Sequence, residues 1–152
     1  MKQKNNSIFV NFFKNNKILK KKNLIELKKI FKNSKKNSRI CLHKDVNDYH
    51  QEMIIIQGKN KFFPPKKNTK SDQTFMIVEG KLMVLTFNSV GKIMSKVILS
   101  KNQNLITRVK KNIYHCDIPI TNYSIHLETK NCKFNKKTNK LAKFNFKLPK
   151  IN

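Results

Sequence analysis

Between positions 40 and 130 the apolar residues come in short runs, broken every ten residues or so by turn signals. That rhythm suits β-strands and is too short for helices. Residues 53–56, 74–78, 81–87, 93–99, 105–109, 113–116 and 123–127 read as strands, rich in Ile, Val, Leu, Phe and Tyr. Gly80 turns the chain between two of them, and Asn88-Ser89-Val90-Gly91 forms the loop of a hairpin. Many short strands at this spacing predict a closed or sandwiched β fold. A chain of 152 residues suits one domain, and three glycines and four prolines leave few places for long irregular loops.

The two ends have a different texture. Ile8-Phe9-Val10-Asn11-Phe12-Phe13 is β-branched and aromatic and predicts a first strand. Asn23 offers an N-cap, after which Leu24, Leu27, Ile30 and Phe31 recur at helical spacing until the stretch 33–37 breaks the pattern. Beyond Lys130 the chain holds lysines and no acid, but Phe134, Leu141, Phe144, Phe146 and Leu148 predict that it packs against the rest. The expected organisation is a basic strand and helix over 1–38, a β domain over 39–130 and a basic tail over 131–152 lying on that domain.

A formal charge of +26 invites a nucleic-acid reading, since phosphate neutralisation supplies non-specific affinity. Against it, Arg39 and Arg108 are the only arginines, and dedicated phosphate sites favour the planar guanidinium fork. Lys, Asn, Ile and Phe are inflated together, as compositional bias would do. Nucleic acid is therefore not the expected partner. The basic excess is expected to spread over the two ends, without forming a groove beside aromatic side chains. Cys41, Cys116 and Cys132 are odd in number and widely spaced, which fits reduced thiols better than a zinc knuckle or disulfide framework. No run reaches the ~18–20 apolar residues of a membrane span. The apolar start is interrupted by Asn11 and followed by Lys14 with no small-residue cleavage site, so it does not read as a signal peptide. The expected location is the cytoplasm.

Lys66, Asn68 and Gln73 stand two and then five residues apart, and Gly80 follows seven residues later; a later strand supplies His115. Residues at i and i+2 of a strand share a face, so positions 66 and 68 point the same way. Ser38-Arg39-Ile40-Cys41-Leu42-His43, Glu52-Met53-Ile54-Ile55, Val78-Glu79-Gly80-Lys81-Leu82-Met83-Val84, Arg108-Val109, Tyr114-His115 and Leu127-Glu128-Thr129-Lys130 follow in order. This series, over about residues 24–134, resembles the WbuC-type cupin-fold metalloproteins.

The resemblance implies a cupin double-stranded β-helix, or jelly roll, with a short N-terminal helix, and a divalent transition metal held by His, His, Glu and His. Here those places hold Lys66, Asn68, Gln73 and His115. An ammonium has no lone pair to give, and the amides keep only weak, uncharged oxygens. One imidazole is too few for a centre that needs three or four strong ligands. The expectation is a metal-free cavity, with no cofactor. Lys66, Asn68, Gln73 and His115 are its candidate ligand-binding residues, joined by His43 at the barrel mouth and Glu128 in family order. His50 and His126 read as structural or surface residues, and Glu79 as a solvated carboxylate beside its turn.

Three functions follow. The first is a non-catalytic binding or structural module linked to surface-polysaccharide (O-antigen) biosynthesis, with an anionic small molecule or activated sugar as its partner. The second is a metal-independent sugar-nucleotide isomerase or epimerase. The third is a basic protein that binds polyanions. No catalytic residue is assigned, and the resemblance is compatible with a homodimer. No nucleophile elbow, phosphate-binding glycine loop or HExxH motif is present.

Overall fold

The computed structural model describes residues 2–4, 7–10, 16–146 and 149; Asn11, Phe12 and Phe13 of the first predicted strand and Leu148 of the tail lie outside the described residues. In chain order these form β1 (Lys2–Lys4), β2 (Ser7–Phe9), α1 (Lys21–Ser34), β3 (Ser38–Cys41), β4 (Gln51–Gly58), β5 (Lys66–Asn68), β6 (Gln73–Glu79), β7 (Leu82–Phe87), β8 (Ile93–Leu99), β9 (Ile106–Val109), β10 (Tyr114–Pro119), β11 (Tyr123–Lys130) and β12 (Asn139–Leu141). The strands build two sheets, ordered β1-β2-β3-β4-β11-β6-β9 and β12-β5-β10-β7-β8. Pairing is antiparallel except between β2 and β3, which run parallel.

Residues opposite one another on paired strands share a face of the sheet. In the larger sheet one such row reads Ile8, Ile40, Ile54 and Leu127, with Ile56 and Ile125 paired alongside. Helix α1 lays Leu24, Leu27, Ile30 and Phe31 on this outer face. In the smaller sheet the outer face carries Met83, Leu85, Phe87, Cys116 and Ile118, and Phe62, Phe144 and Phe146 cover it. Phe87 meets Phe144 and Phe146 at ring-centroid distances of 5.7 and 5.2 Å. The helix thus covers the β3 and β4 part of the larger sheet and the tail covers the smaller sheet, while Met76 and Ile106 on β6 and β9 stay exposed.

The layer between the sheets is divided. Where β6 and β9 face β7 and β8 it is apolar: Phe75, Ile77, Leu82, Val84, Leu99 and Val109. Where β3, β4 and β11 face β5 and β10 it is mixed, with Arg39, Gln51, Glu128 and Lys130 beside Cys41, Met53 and Ile55. The turn that leads from β6 to β7 needs its glycine. Gly80 has φ +80°, and a Cβ there would lie 2.6 Å from both Thr121 Oγ1 and the Tyr123 carbonyl.

Two local expectations are corrected. Asn23 is not the N-cap; Lys20 is, and Asn23 sits a turn in, accepting the Lys20 N–H on Oδ1 at 2.9 Å while its own N–H donates to the Lys20 carbonyl at 2.8 Å. The side chain reaches back as the distal half of a capping box does. Glu79 is only partly solvated. It pairs with Lys28 of the helix at 2.7 Å and accepts the Tyr123 hydroxyl at 2.5 Å, so it fastens α1 to the sheet. The three cysteines are buried and unpaired. Among the described residues no helix is long and apolar enough to cross a membrane.

If α1 is a structural layer, truncating its one fully buried apolar side chain must act on the whole domain. Leu27, at 0% exposure, is that residue. Leu27→Ala is expected to lower the unfolding free energy by about 2–5 kcal/mol in urea denaturation. A loss below about 1 kcal/mol would mean that the helix is an appendage.

Candidate functional site

Alternation along the strands places the inner-face residues. Glu128 lies opposite Met53 and Phe75, and Lys130 opposite Gln51 and Gln73. Arg39 lies opposite Ile55. On the other sheet His115 is paired with Lys66, and Asp117 follows two residues along β10. Between these walls is a cavity of about 360 Å³. Arg39, Lys66, Asp117, Glu128 and Lys130 line its interior, with Gln51, Gln57 and His43 beside them. Val46, Phe63, Phe134 and Leu141 line it too, and each of these four is roughly half exposed, so they form an apolar mouth.

Of the residues expected from sequence, Lys66, Glu128 and His43 line the cavity, whereas Asn68, Gln73 and His115 do not. Asn68 is engaged in a turn: its Oδ1 accepts the N–H groups of Lys70 and Ser71 at 2.8 and 3.1 Å, and its Nδ2 donates to Cys132 Sγ at 3.3 Å. Gln73 is 2% exposed and its Nε2 has no partner. His115 sits with Nδ1 3.1 Å from the Ile113 carbonyl and an unpartnered Nε2, its ring 5.8 Å from that of Phe75. His126, read as a structural or surface residue, is fully buried, 6.2 Å from the same Phe75 ring, again with Nε2 unpartnered. His43 is held at the mouth, where its Nδ1 lies 3.1 Å from the Glu52 N–H and Phe9 meets the ring edge-on at 5.8 Å.

Arg39, Asp117 and Lys130 were missed by the sequence reading. The signal was the period of two: Asp117 follows His115 by two residues, and Lys130 follows Glu128 by two, so each pair shares a face. Two of the lysines that line the cavity stand against aromatic rings. Lys66 Nζ stands 5.6 Å from the centroid of the Phe63 ring, and Lys130 Nζ 5.1 Å from that of Phe134.

Three cations and two carboxylates share the cavity, yet none of the five comes within ion-pair distance of an opposite charge; among the described residues such pairs are Lys28–Glu79 and His50–Glu52. Burial pushes Asp117 up to about 6, against the opposing pull of Lys66. Burial also acts to raise Glu128, but Lys66, Lys130, His126 and Arg39 outweigh it and hold the group below its ordinary value. Lys130 is lowered by burial, with Glu128 opposing. His126, fully buried, is lowered to about 4, and His115 is lowered by the same cause. The cavity therefore presents one firmly ionised carboxylate, one that titrates near neutrality, and neutral imidazoles behind them.

The ion that the resemblance implies does not fit these side chains. Lys66 offers no lone pair, both polar atoms of Asn68 are committed, and His115 faces the Phe75 ring. Among the described residues no group of three or more His, Cys, Asp or Glu side chains is placed to hold a metal.

No protein-family model matches the chain, and no curated protein matches it in sequence. Solved structures do match in fold. The capsular polysaccharide assembling protein CapF from Staphylococcus aureus superposes with a TM-score of 0.58 at 10% identity, over 70% of this chain and 29% of that one. A second CapF structure, with the inhibitor 3-isopropenyl-tropolone, gives 0.55 at 10% identity, over 68% and 34%. A structural-genomics protein from Shewanella oneidensis gives 0.53 at 8% identity, over 66% and 65%. The chain thus spans about a third of CapF and just under two thirds of the Shewanella protein. At these identities the likeness is one of fold, and the fold is cupin-like.

The elevation of Asp117 has a consequence for stability. Its carboxyl titrates near 3.8 when unfolded and near 6 when folded, so between those values the folded chain holds a proton that the unfolded chain has released. Stability from this group is present below pH 3.8 and is lost as pH rises through 6. Asp117→Asn is free of that loss. The stability of the variant relative to wild type is expected to rise by about 3 kcal/mol between pH 3.5 and pH 7. A difference that stays flat across this range would show that the Asp117 carboxyl titrates alike in the folded and unfolded chain.

Proposed function

We propose that this chain is a WbuC-like cupin, a double-stranded β-helix whose metal ligands have been replaced, acting as a binding module for an anionic, hydroxyl-rich small molecule. The observation that carries this reading is the set of five charged side chains that line one cavity with no ion-pair partner among the described residues. Glu128 and Lys130 are each only 6% exposed, and neither side chain makes a hydrogen bond or an ion pair among the described residues, Lys130 Nζ lying 5.1 Å from the Phe134 ring instead. Removing a charge from water costs several kcal/mol unless a partner compensates. A fold that keeps such groups around an open cavity keeps them for a ligand or for water that a ligand displaces. Arg39, Lys66 and Lys130 suit a phosphate or carboxylate; Glu128, Asp117, Gln51 and Gln57 suit sugar hydroxyls.

An activated sugar meets both demands, and the setting that suits such a ligand is surface-polysaccharide (O-antigen) biosynthesis in the cytoplasm. CapF, a capsular polysaccharide assembling protein, shares the fold and lends that setting support. Lys66 is central because it sits where the family places a metal ligand and returns a positive charge to that spot. Binding of this kind needs no resident metal, so protein purified without chelator is expected to carry well under one equivalent of zinc, iron, nickel or manganese by elemental analysis. A stoichiometric metal would require a ligand set other than the four positions of the motif.

Anionic sugars such as glucose 1-phosphate, at a hundredfold excess over Kd, are expected to raise the melting temperature by about 5–10 °C. Lys66→Met is expected to fold normally and to lose most of that shift. If no anionic or nucleotide-linked sugar moves the melting temperature of either protein, the cavity is vestigial and the chain is a structural cupin.

A further inference from the structure

We propose that the mouth of the cavity is a nucleotide subsite, where a planar base takes the place of a lysine on the phenyl faces of Phe63 and Phe134 and the released ammonium groups of Lys66 and Lys130 take the phosphates. The inference rests on the reading of the cavity as a site for an activated sugar and says which activating group it accepts.

Four large apolar side chains, Val46, Phe63, Phe134 and Leu141, stand half exposed at one opening. Single exposed hydrophobics are ordinary, but several converging above a charged cavity are not scattered surface residues. They come from three segments that the fold brings together. Phe63 leads into β5, Phe134 follows β11, and the Phe134 N–H donates to the Val46 carbonyl at 3.0 Å, tying the tail to the loop after β3.

Each lysine lining the cavity is placed against one of the two aromatics, Lys66 at 5.6 Å from Phe63 and Lys130 at 5.1 Å from Phe134. These contacts are weak when partly solvated, and a charge-assisted bond to phosphate is stronger. A ligand can therefore exchange them at a gain, but only if it brings both parts. An anion alone draws the ammonium away and leaves the phenyl face bare. A base alone displaces the ammonium and gives it nothing to pair with. A nucleoside diphosphate supplies ring and anion a few ångströms apart, in the order mouth to interior that the side chains present. The volume agrees: about 360 Å³ is at the small end of ligand pockets, so a nucleoside attached to a sugar and its phosphates has to lie on the mouth.

The test compares uridine diphosphate with inorganic pyrophosphate, which share the anion and differ in the nucleoside, by isothermal titration calorimetry on the full chain at 0.15 M salt. Wild type is expected to bind uridine diphosphate about tenfold or more tightly than pyrophosphate, the scale of one base stacked on an aromatic side chain. In the Phe63→Ala/Phe134→Ala double variant the ratio should fall to about one, with pyrophosphate affinity within about twofold of wild type. Both positions are half exposed, so the variant is expected to fold. Equal affinity of wild type for the two ligands overturns the nucleotide subsite and leaves the anion site standing. Failure of both to bind overturns the anion site as well. Tighter binding of a single-stranded oligothymidylate than of uridine diphosphate, lost in the double variant, would make the mouth a nucleic-acid contact and overturn the small-molecule assignment.

Discussion

The structure depends on where each sheet turns its apolar face. In a two-sheet sandwich the inner faces usually supply the core. Here Ile8, Ile40, Ile54 and Ile56 face outward under α1, and Met83, Leu85, Phe87 and Ile118 face outward under Phe144 and Phe146. Only the part of the inner layer around Phe75, Leu82 and Val84 is packed as a core. The helix and the tail carry enough of the burial that the remaining inner layer can hold charges, and the cavity exists because the stabilising contacts were moved to the outside of the sheets.

That arrangement explains how a chain can keep Arg39, Lys66, Asp117, Glu128 and Lys130 around one space without pairing them. Buried ion pairs contribute little to stability even with good geometry, and unpaired charges oppose it. The cavity therefore subtracts from a stability supplied elsewhere, as binding sites commonly do.

Much of the β framework was legible. The predicted strands over 74–78, 81–87, 93–99 and 105–109 fall on β6, β7, β8 and β9 because turn residues and β-branched runs are local signals. The helix was legible from Leu24, Leu27, Ile30 and Phe31. The three-residue strands β5 and β12 were not, since so short a run has no period of its own and pairs only because its neighbours fix it. The site was read in part. The motif spacing led to Lys66, and family order led to Glu128 and His43, all of which line the cavity. Asn68 came from the same spacing, and its Oδ1 accepts the N–H groups of Lys70 and Ser71, a local turn that the motif does not announce. Arg39, Asp117 and Lys130 needed sheet register: which strand lies across from which is long-range information, and a single sequence states it only through alternation.

The central claim is that the inner charges are kept for a ligand and not for the fold. Glu128→Leu with Lys130→Met replaces two of them by apolar side chains of similar size, and guanidinium denaturation at pH 7 measures the result most directly. If the charges serve binding, the double variant keeps its stability or gains about 1–4 kcal/mol, as apolar replacement of buried charges commonly does. A loss of about 3 kcal/mol or more would mean that Glu128 and Lys130 hold the sheets together, and that the cavity is part of the scaffold.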